Sequence, residues 1–355
     1  MKPSSMMRTD TGKMSAVDLF SGCGALSLGL ERAGYSVRAA VEINAKCAKT
    51  YARNHPDTVV LERDIRTVEG AELLAVAGIG PGELDLVAGC PPCQGFSRIR
   101  RRNKKKAVAD DRNDLVSEFG RLVLELRPRA LMLENVPGLE ADRRFKKLLF
   151  RLRGAGYRID WRILRMEEFG IPQRRRRLVM IGSRVANKPD LSQLAKKHAR
   201  TVRDTIESLP RIPQALRVLH NYMHSRTEAV KNRIRHVPHD GGSRATLPKR
   251  LKLKCHSANI GFRDVYGRMA WDESAPTITG GCINPSKGRF LHPVKNRAIT
   301  LIEAARLQSF PIWYKFDVSD GRYRIAEMIG EALPPRFAAT AARYIAQHLI
   351  ASEPS

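Results

Sequence analysis

Between residues 16 and 183 the chain alternates short apolar runs with stretches of helical period, and this alternation constrains the fold more than any other feature. Residues 16–20, 37–42, 59–61, 85–88, 130–133 and 178–181 read as strands. Residues 25–33, a stretch reaching Tyr51, 114–126 and 144–152 read as helices. Strands separated by helices pair in parallel, and the helices then cover both faces of the sheet. The expected fold class is therefore α/β, a doubly wound sheet. Ligands of such sheets sit beyond the carboxyl ends of the strands, which puts Phe20, Glu42, Gly89 and Leu133 on one rim.

After residue 183 the rhythm breaks. Residues 184–295 scatter Pro, Gly, His and Arg with weak periodicity and read as a second, smaller domain with short strands. Helices return at 298–308, at 325–329 and at 335–350. The expected division is 14–183 with 319–355 in one domain and 184–318 in the other. Sixty-three Lys and Arg against thirty-six Asp and Glu give a net charge of +27, which favours a polyanionic partner, nucleic acid above all. No apolar run is long enough for a bilayer, and residues 1–13 lack the apolar core of a signal peptide. Six cysteines in a chain of this length do not form a disulfide framework, so a reduced, cytoplasmic setting is expected.

Four constellations carry chemistry. Asp18-Leu-Phe-Ser-Gly-Cys-Gly-Ala25 leads a strand through a glycine turn into a helix, with Glu42 twenty residues beyond Gly22, where a carboxylate meets a ribose hydroxyl pair. A plain tight turn and an NAD site are the competing readings; Ser27 stands where the third glycine of a dinucleotide fingerprint belongs. Gly89-Cys-Pro-Pro-Cys-Gln-Gly-Phe-Ser97 follows a strand directly. Cys90 and Cys93 have the spacing of a redox pair or half a zinc site, but no second pair completes a metal site, and none is expected. The third reading is a nucleophilic thiolate on a proline-flanked loop. Glu134 ends the next strand on the same rim, and in Gln173-Arg-Arg-Arg-Arg177 alternation puts Arg175 and Arg177 on one face, as candidates for holding a polar ring and a phosphate. The basic run from Arg98 to Lys106 is either a solvated loop or a lid over a polyanion.

In order and spacing these residues resemble the DNA (cytosine-5) methyltransferase family over nearly the whole chain. Residues 18–24 resemble its S-adenosylmethionine (SAM) motif, 91–97 its catalytic motif, Glu134-Asn-Val136 the motif whose Glu engages cytosine N3, and 173–177 its Q-x-R-x-R motif. Residues 298–311 and 329–335 resemble the ninth and tenth motifs. The resemblance implies Cys93 as nucleophile, Glu134 on N3 and Arg175 on O2 of a flipped cytosine. It implies SAM held by Phe20, Ser21, Gly22, Gly24, Glu42, Ile43, Asp64, Ile65, Pro92 and Leu115, with Glu331, Ala332 and Leu333 from the tenth motif. Phe20 and Ile65 would sandwich the adenine and Asp64 would accept from its amine. Gln94, Ser97, Gln173, Arg177 and Thr277 would meet DNA. The first domain becomes the SAM-binding catalytic one and the second the target-recognition domain. Double-stranded DNA, a cognate restriction endonuclease, a monomer on DNA and a nucleoid-associated place follow by the same implication.

Three positions depart from the family pattern: Ala25 for a glycine, Ile43 for a larger side chain and Glu331 for an asparagine. A tRNA-directed relative would carry a Cys-Phe-Thr signature that is absent from the sequence. A silent DNA-binding module would not need the full set of Cys93, Glu134 and Arg175. If the basic run meets DNA phosphates, replacing Lys104, Lys105 and Lys106 together by Gln flattens the log–log dependence of DNA affinity on salt. An unchanged slope in a salt titration would place the run in solvent.

Overall fold

A computed structural model describes residues 12–92, 114–221, 226–253 and 264–352. The expectations for Cys93, Gln94, Ser97 and the basic run fall outside these residues. The first half builds β1 (Met14–Leu19), α1 (Ala25–Arg32), β2 (Tyr35–Val41), α2 (Ala45–Asn54), β3 (Val59–Leu61), α3 (Gly70–Ala77), β4 (Leu86–Gly89), α4 (Leu115–Leu126), β5 (Ala130–Asn135), α5 (Arg143–Gly154), β6 (Arg158–Arg165), β7 (Gln173–Arg174) and β8 (Arg176–Ser183). Seven strands form one sheet in the order β3-β2-β1-β4-β5-β8-β6. The pairs among β3, β2, β1, β4 and β5 are parallel, and β5 with β8 is antiparallel. The order reverses across β1 and β4, so their carboxyl ends open a crevice there.

Alternation places the core. Val17 and Leu19 of β1, Val87 of β4 and Leu131 and Leu133 of β5 pack against Phe119, Leu122 and Val123 of α4. Phe145, Leu148, Leu149 and Leu152, spaced for one helical face, bury α5. Helix α3 and the half-buried strand β6 were not legible in the sequence, since β6 shows no clean alternation.

The chain divides into two compact units. The first holds residues up to 163, 178–194 and from 338 onward; the second holds 164–177 and 195–337. The sequence reading put the breaks at 183/184 and 318/319, whereas residues 319–337 group with the second unit. Within the first unit the Tyr35 hydroxyl donates, at 3.4 Å, to the Ala342 carbonyl of the closing helix Pro335–Ile350.

The second unit contains α6 (Glu228–Arg235), β9 (Ala275–Pro276), α7 (Leu301–Leu307) and α8 (Arg322–Glu331). The short strands expected over 184–295 reduce, among the described residues, to β9 paired with β7 and a few isolated bridges. Its backbone is held instead by a side chain. Arg268 is fully buried, and all five of its N–H donors are engaged. Nε donates to the Val237 carbonyl, Nη1 to those of His292 and Lys295, and Nη2 to that of Ile234 and to Asn296 Oδ1, at 2.6–3.0 Å. Around it Ile234, Val237, Leu247, Leu251, Tyr266 and Leu291 form a small core. Helix α7 starts from a capping box in which Thr300 and Glu303 exchange hydrogen bonds. No helix among the described residues is long and apolar enough to cross a membrane.

Arg268→Met removes five donors and strands several buried carbonyls. It should lower stability by about 3–5 kcal/mol, measured by urea unfolding. A loss below about 1 kcal/mol would show that the loops find other donors.

Candidate active site

The turn after β1 is built from strained and glycine positions. Phe20 (φ +60°), Gly22 (φ +56°) and Gly24 (φ +92°) all lie in the left-handed region. Two glycines reach it without a Cβ penalty; Phe20 does not, and such outliers gather at ligand sites. Ser21 N–H donates to the Val41 carbonyl, which ties the turn to the end of β2. Gly24 starts α1 without a side-chain cap. Beneath the turn Asp18 is fully buried; its Oδ2 accepts from Ser27 Oγ at 2.6 Å, and Ser27 Oγ lies 2.6 Å from the Tyr51 hydroxyl. Burial pushes the Asp18 carboxyl up to about 7, against the Ser27 hydrogen bonds and with a smaller push from Glu42 and Glu31.

Glu42 is fixed by backbone donors. Its Oε2 accepts from Gly22 N–H and its Oε1 from Asn44 N–H, both at 2.8 Å. Asn44 in turn caps α2 through Cys47 N–H. Ile65 is buried, Phe20 is half-buried and Ile43 is 65% exposed, an apolar side chain standing in water beside an anchored carboxylate. An adenosine would find apolar surface on Phe20, Ile43 and Ile65 and a carboxylate for its ribose in Glu42. Asp64 caps the turn after it and pairs with Arg66 at 3.0 Å, so an adenine amine would share it with that guanidinium. Leu115 is buried at the start of α4, and Pro92 is half-buried.

Beyond β4, Cys90 N–H donates to the Leu19 carbonyl at 3.3 Å. Pro91 and Pro92 have no N–H at all, so only carbonyls can hold this segment. Asn135, buried at the end of β5, does so: its Nδ2 donates to the Pro91 carbonyl at 3.0 Å, while its Oδ1 accepts from Val136 N–H at 2.8 Å. The segment that leads into Cys93 is thereby tied to the strand that carries Glu134. Glu134 itself is buried, opposite Val179 in the β5–β8 ladder.

Arg175 and its neighbours belong to the second unit. Arg175 is buried and its Nη1 donates to the carbonyls of Ile278 (3.1 Å) and Gly330 (2.9 Å). Gly330 lies so close to Thr279 that no Cβ fits. Gln173, expected to meet DNA, is fully buried; its amide bonds Leu307 O, Gln308 Oε1 and Ile278 N–H. Arg177 is half-buried, with Nη1 on the Arg176 carbonyl. Thr277 Oγ1 donates to the Arg174 carbonyl at 2.6 Å. Glu331 ends α8 exposed, Ala332 O accepts from Gln308, and Leu333 is buried. In this way 173–175, 277–278, 307–308 and 330–332 form one hydrogen-bonded knot inside the second unit.

Sequence reading missed Asn135 as a tether, although two consecutive prolines announce a need for an outside donor. It also read Ser27 only as a missing glycine, whereas its hydroxyl joins Asp18 to Tyr51.

A doubly wound sheet with a glycine turn after β1, an anchored acid after β2 and a carboxylate at the end of β5 has the architecture of α/β enzymes whose sites lie beyond the strand carboxyl ends. The family model for C-5 cytosine-specific DNA methylases matches residues 14–347. The chain is 33% identical over 349 residues to the Type II methylase M.HgiDII of Herpetosiphon aurantiacus, covering 94% of this chain and 96% of that protein. It is also 33% identical to the Type II methyltransferase M.XorII of Xanthomonas oryzae pv. oryzae, covering 91% and 82%. A crystal structure of a prophage-encoded E. coli protein, described as a DNA modification methyltransferase, superposes with TM-score 0.69 at 26% identity, covering 95% of this chain and 99% of that one. The chain belongs to the C-5 cytosine-specific DNA methylase family, and its activity is cytosine-5 methylation of DNA.

The raised Asp18 carboxyl makes a pH prediction. A proton bound more tightly in the folded state stabilises fully below the unfolded value of 3.8 and ceases to do so as pH rises through about 7. Relative to Asp18→Asn, the natural protein should therefore lose thermal stability between pH 4 and 7. Parallel melting curves of the two proteins across that range would contradict it.

Proposed function

We propose that this methyltransferase takes its methyl group from SAM and acts on a flipped-out cytosine in a specific double-stranded DNA sequence, through a covalent Cys93–C6 intermediate. The observation that carries this reading is the Asn135–Pro91 hydrogen bond, which registers the stem of Cys93 on the strand of Glu134.

A cytosine in a duplex is shielded by stacking, so the base must leave the helix to be reached. Cys93 thiolate adds to C6, and Glu134 bonds N3 to offset the charge that develops on the ring. Arg175 holds O2, its Nη1 anchored on the carbonyls of Ile278 and Gly330. Arg177, Thr277, Gln94 and Ser97 bind the flanking DNA. SAM, when bound on Phe20, Glu42, Ile43 and Ile65, supplies the methyl group to C5. A base then removes the C5 proton and the Cys93 thiolate departs, leaving 5-methylcytosine. Residues 184–318 select the target sequence. The relatives are named as Type II enzymes, which supports a place in a restriction-modification system beside a cognate endonuclease.

Cys93→Ser should abolish methyl transfer, by at least about 10³-fold, while DNA binding persists. Cys90→Ala should keep most activity. Natural protein incubated with SAM and target DNA carrying 5-fluorocytosine should form an adduct stable to denaturing electrophoresis, because fluorine cannot leave as a cation. Near-normal turnover of Cys93→Ser, or absence of the adduct, overturns the covalent route.

A further inference from the structure

Helix α5 has an outward face that the reaction does not use. Its sequence, Arg-Arg-Phe-Lys-Lys-Leu-Leu-Phe-Arg-Leu-Arg-Gly, holds six cations and no acid. Phe145, Leu148, Leu149 and Leu152 turn inward. Arg143, Lys146, Lys147, Phe150 and Arg151 recur at steps of three and one, so they form one stripe, and all are exposed. Phe150, in the middle of the stripe, is 79% exposed, the most of any large hydrophobic residue described.

Helix stability does not account for this face. Cations complement the carboxyl end of a helix, which suits Arg151 and Arg153, but Arg143, Lys146 and Lys147 stand in the first half, where the dipole opposes them. Arg143 with Lys147, and Lys147 with Arg151, are like charges four residues apart, an arrangement that weakens a helix. Among the described residues no carboxylate forms an ion pair with Arg143, Lys146, Lys147 or Arg151. Asp142, the nearest in sequence, is bonded through both oxygens to Arg144, whose other end meets Asp114. Like charges with no ion-pair partner among the described residues give this face an affinity for an external polyanion.

We propose that the outward face of α5 binds the sugar–phosphate backbone of duplex DNA outside the stretch that carries the target cytosine. This rests on DNA being the substrate. The stripe from Arg143 to Arg151 is roughly 12 Å long at 1.5 Å per residue. Each strand of a duplex presents about one charge per 3.4 Å of axis, so that length runs past about three to four phosphates of one strand. Phe150 meets deoxyribose between the phosphates contacted by Lys147 and Arg151. The contact carries no sequence information and adds only to retention on long DNA.

The test is the variant Lys146→Gln/Lys147→Gln/Arg151→Gln, which keeps good helix formers at exposed positions. Binding to a duplex of several hundred base pairs without a target is titrated against salt. The log–log slope should become shallower by about 2–3 for three lost phosphate contacts. Methylation of a short duplex centred on the target should keep kcat and KM within about twofold. An unchanged slope on long DNA overturns the proposal. So does an equal loss on short and long duplexes, which would put α5 against the target stretch itself. Loss of binding to phosphatidylserine vesicles with an unchanged DNA slope would assign the face to a lipid surface instead. Methylation is scored separately, so an inactive natural protein that still binds long DNA through α5 would overturn the proposed function and leave this surface standing.

Discussion

Where a parallel strand ends, its last backbone groups lose their ladder partners, and the chemistry of this protein is organised around how those groups are satisfied. A buried donor or acceptor left unpaired costs more than a hydrogen bond contributes. At the end of β2, Glu42 takes the N–H groups of Gly22 and Asn44. At the end of β5, Asn135 donates to the Pro91 carbonyl, in a segment whose two prolines offer no N–H of their own. These side chains join neighbouring strand ends to one another across the sheet. The carboxylate proposed for the ribose and the strand proposed for the base are therefore held in place by the fold before any ligand binds.

The second unit solves the same problem differently. Its knot of Gln173, Arg175, Gln308 and the backbone of Ile278, Gly330 and Ala332 joins segments that lie more than a hundred residues apart, such as Arg175 and Gly330. Glu303, Arg297 and Thr300 extend the same logic at the start of α7, where Arg297 grips the buried Glu303 with two 2.7 Å bonds.

The legible part of the sequence was the part with a strong period. Strands β1, β2, β4 and β5 are nearly continuous apolar runs and were placed within a residue or two. The glycine turn, Glu42 and Glu134 stood at the ends of those runs and could be assigned to one rim. The strand β6 was hidden because Arg158, Arg162 and Arg165 interrupt its apolar pattern. Short strands were expected over 184–295 because turn residues separate apolar ones there. The described residues have few, and there Arg268 supplies from one interior point donors to carbonyls of several loops. Periodicity records repeated local geometry, and a single buried guanidinium leaves no period. Gln173 reads in sequence as part of a charged run, yet it is fully buried, since a carboxamide among arginines carries no mark of burial.

The buried guanidinium has an evolutionary consequence. A sheet ties every residue of a strand to its neighbours, so an insertion shifts a register and turns side chains inside out. Loops that converge on Arg268 are tied to its side chain at Ile234, Val237, His292, Lys295 and Asn296. Exposed side chains between those anchors can change while the hub stays in place. A unit built this way can diversify what it touches without redesigning what holds it together.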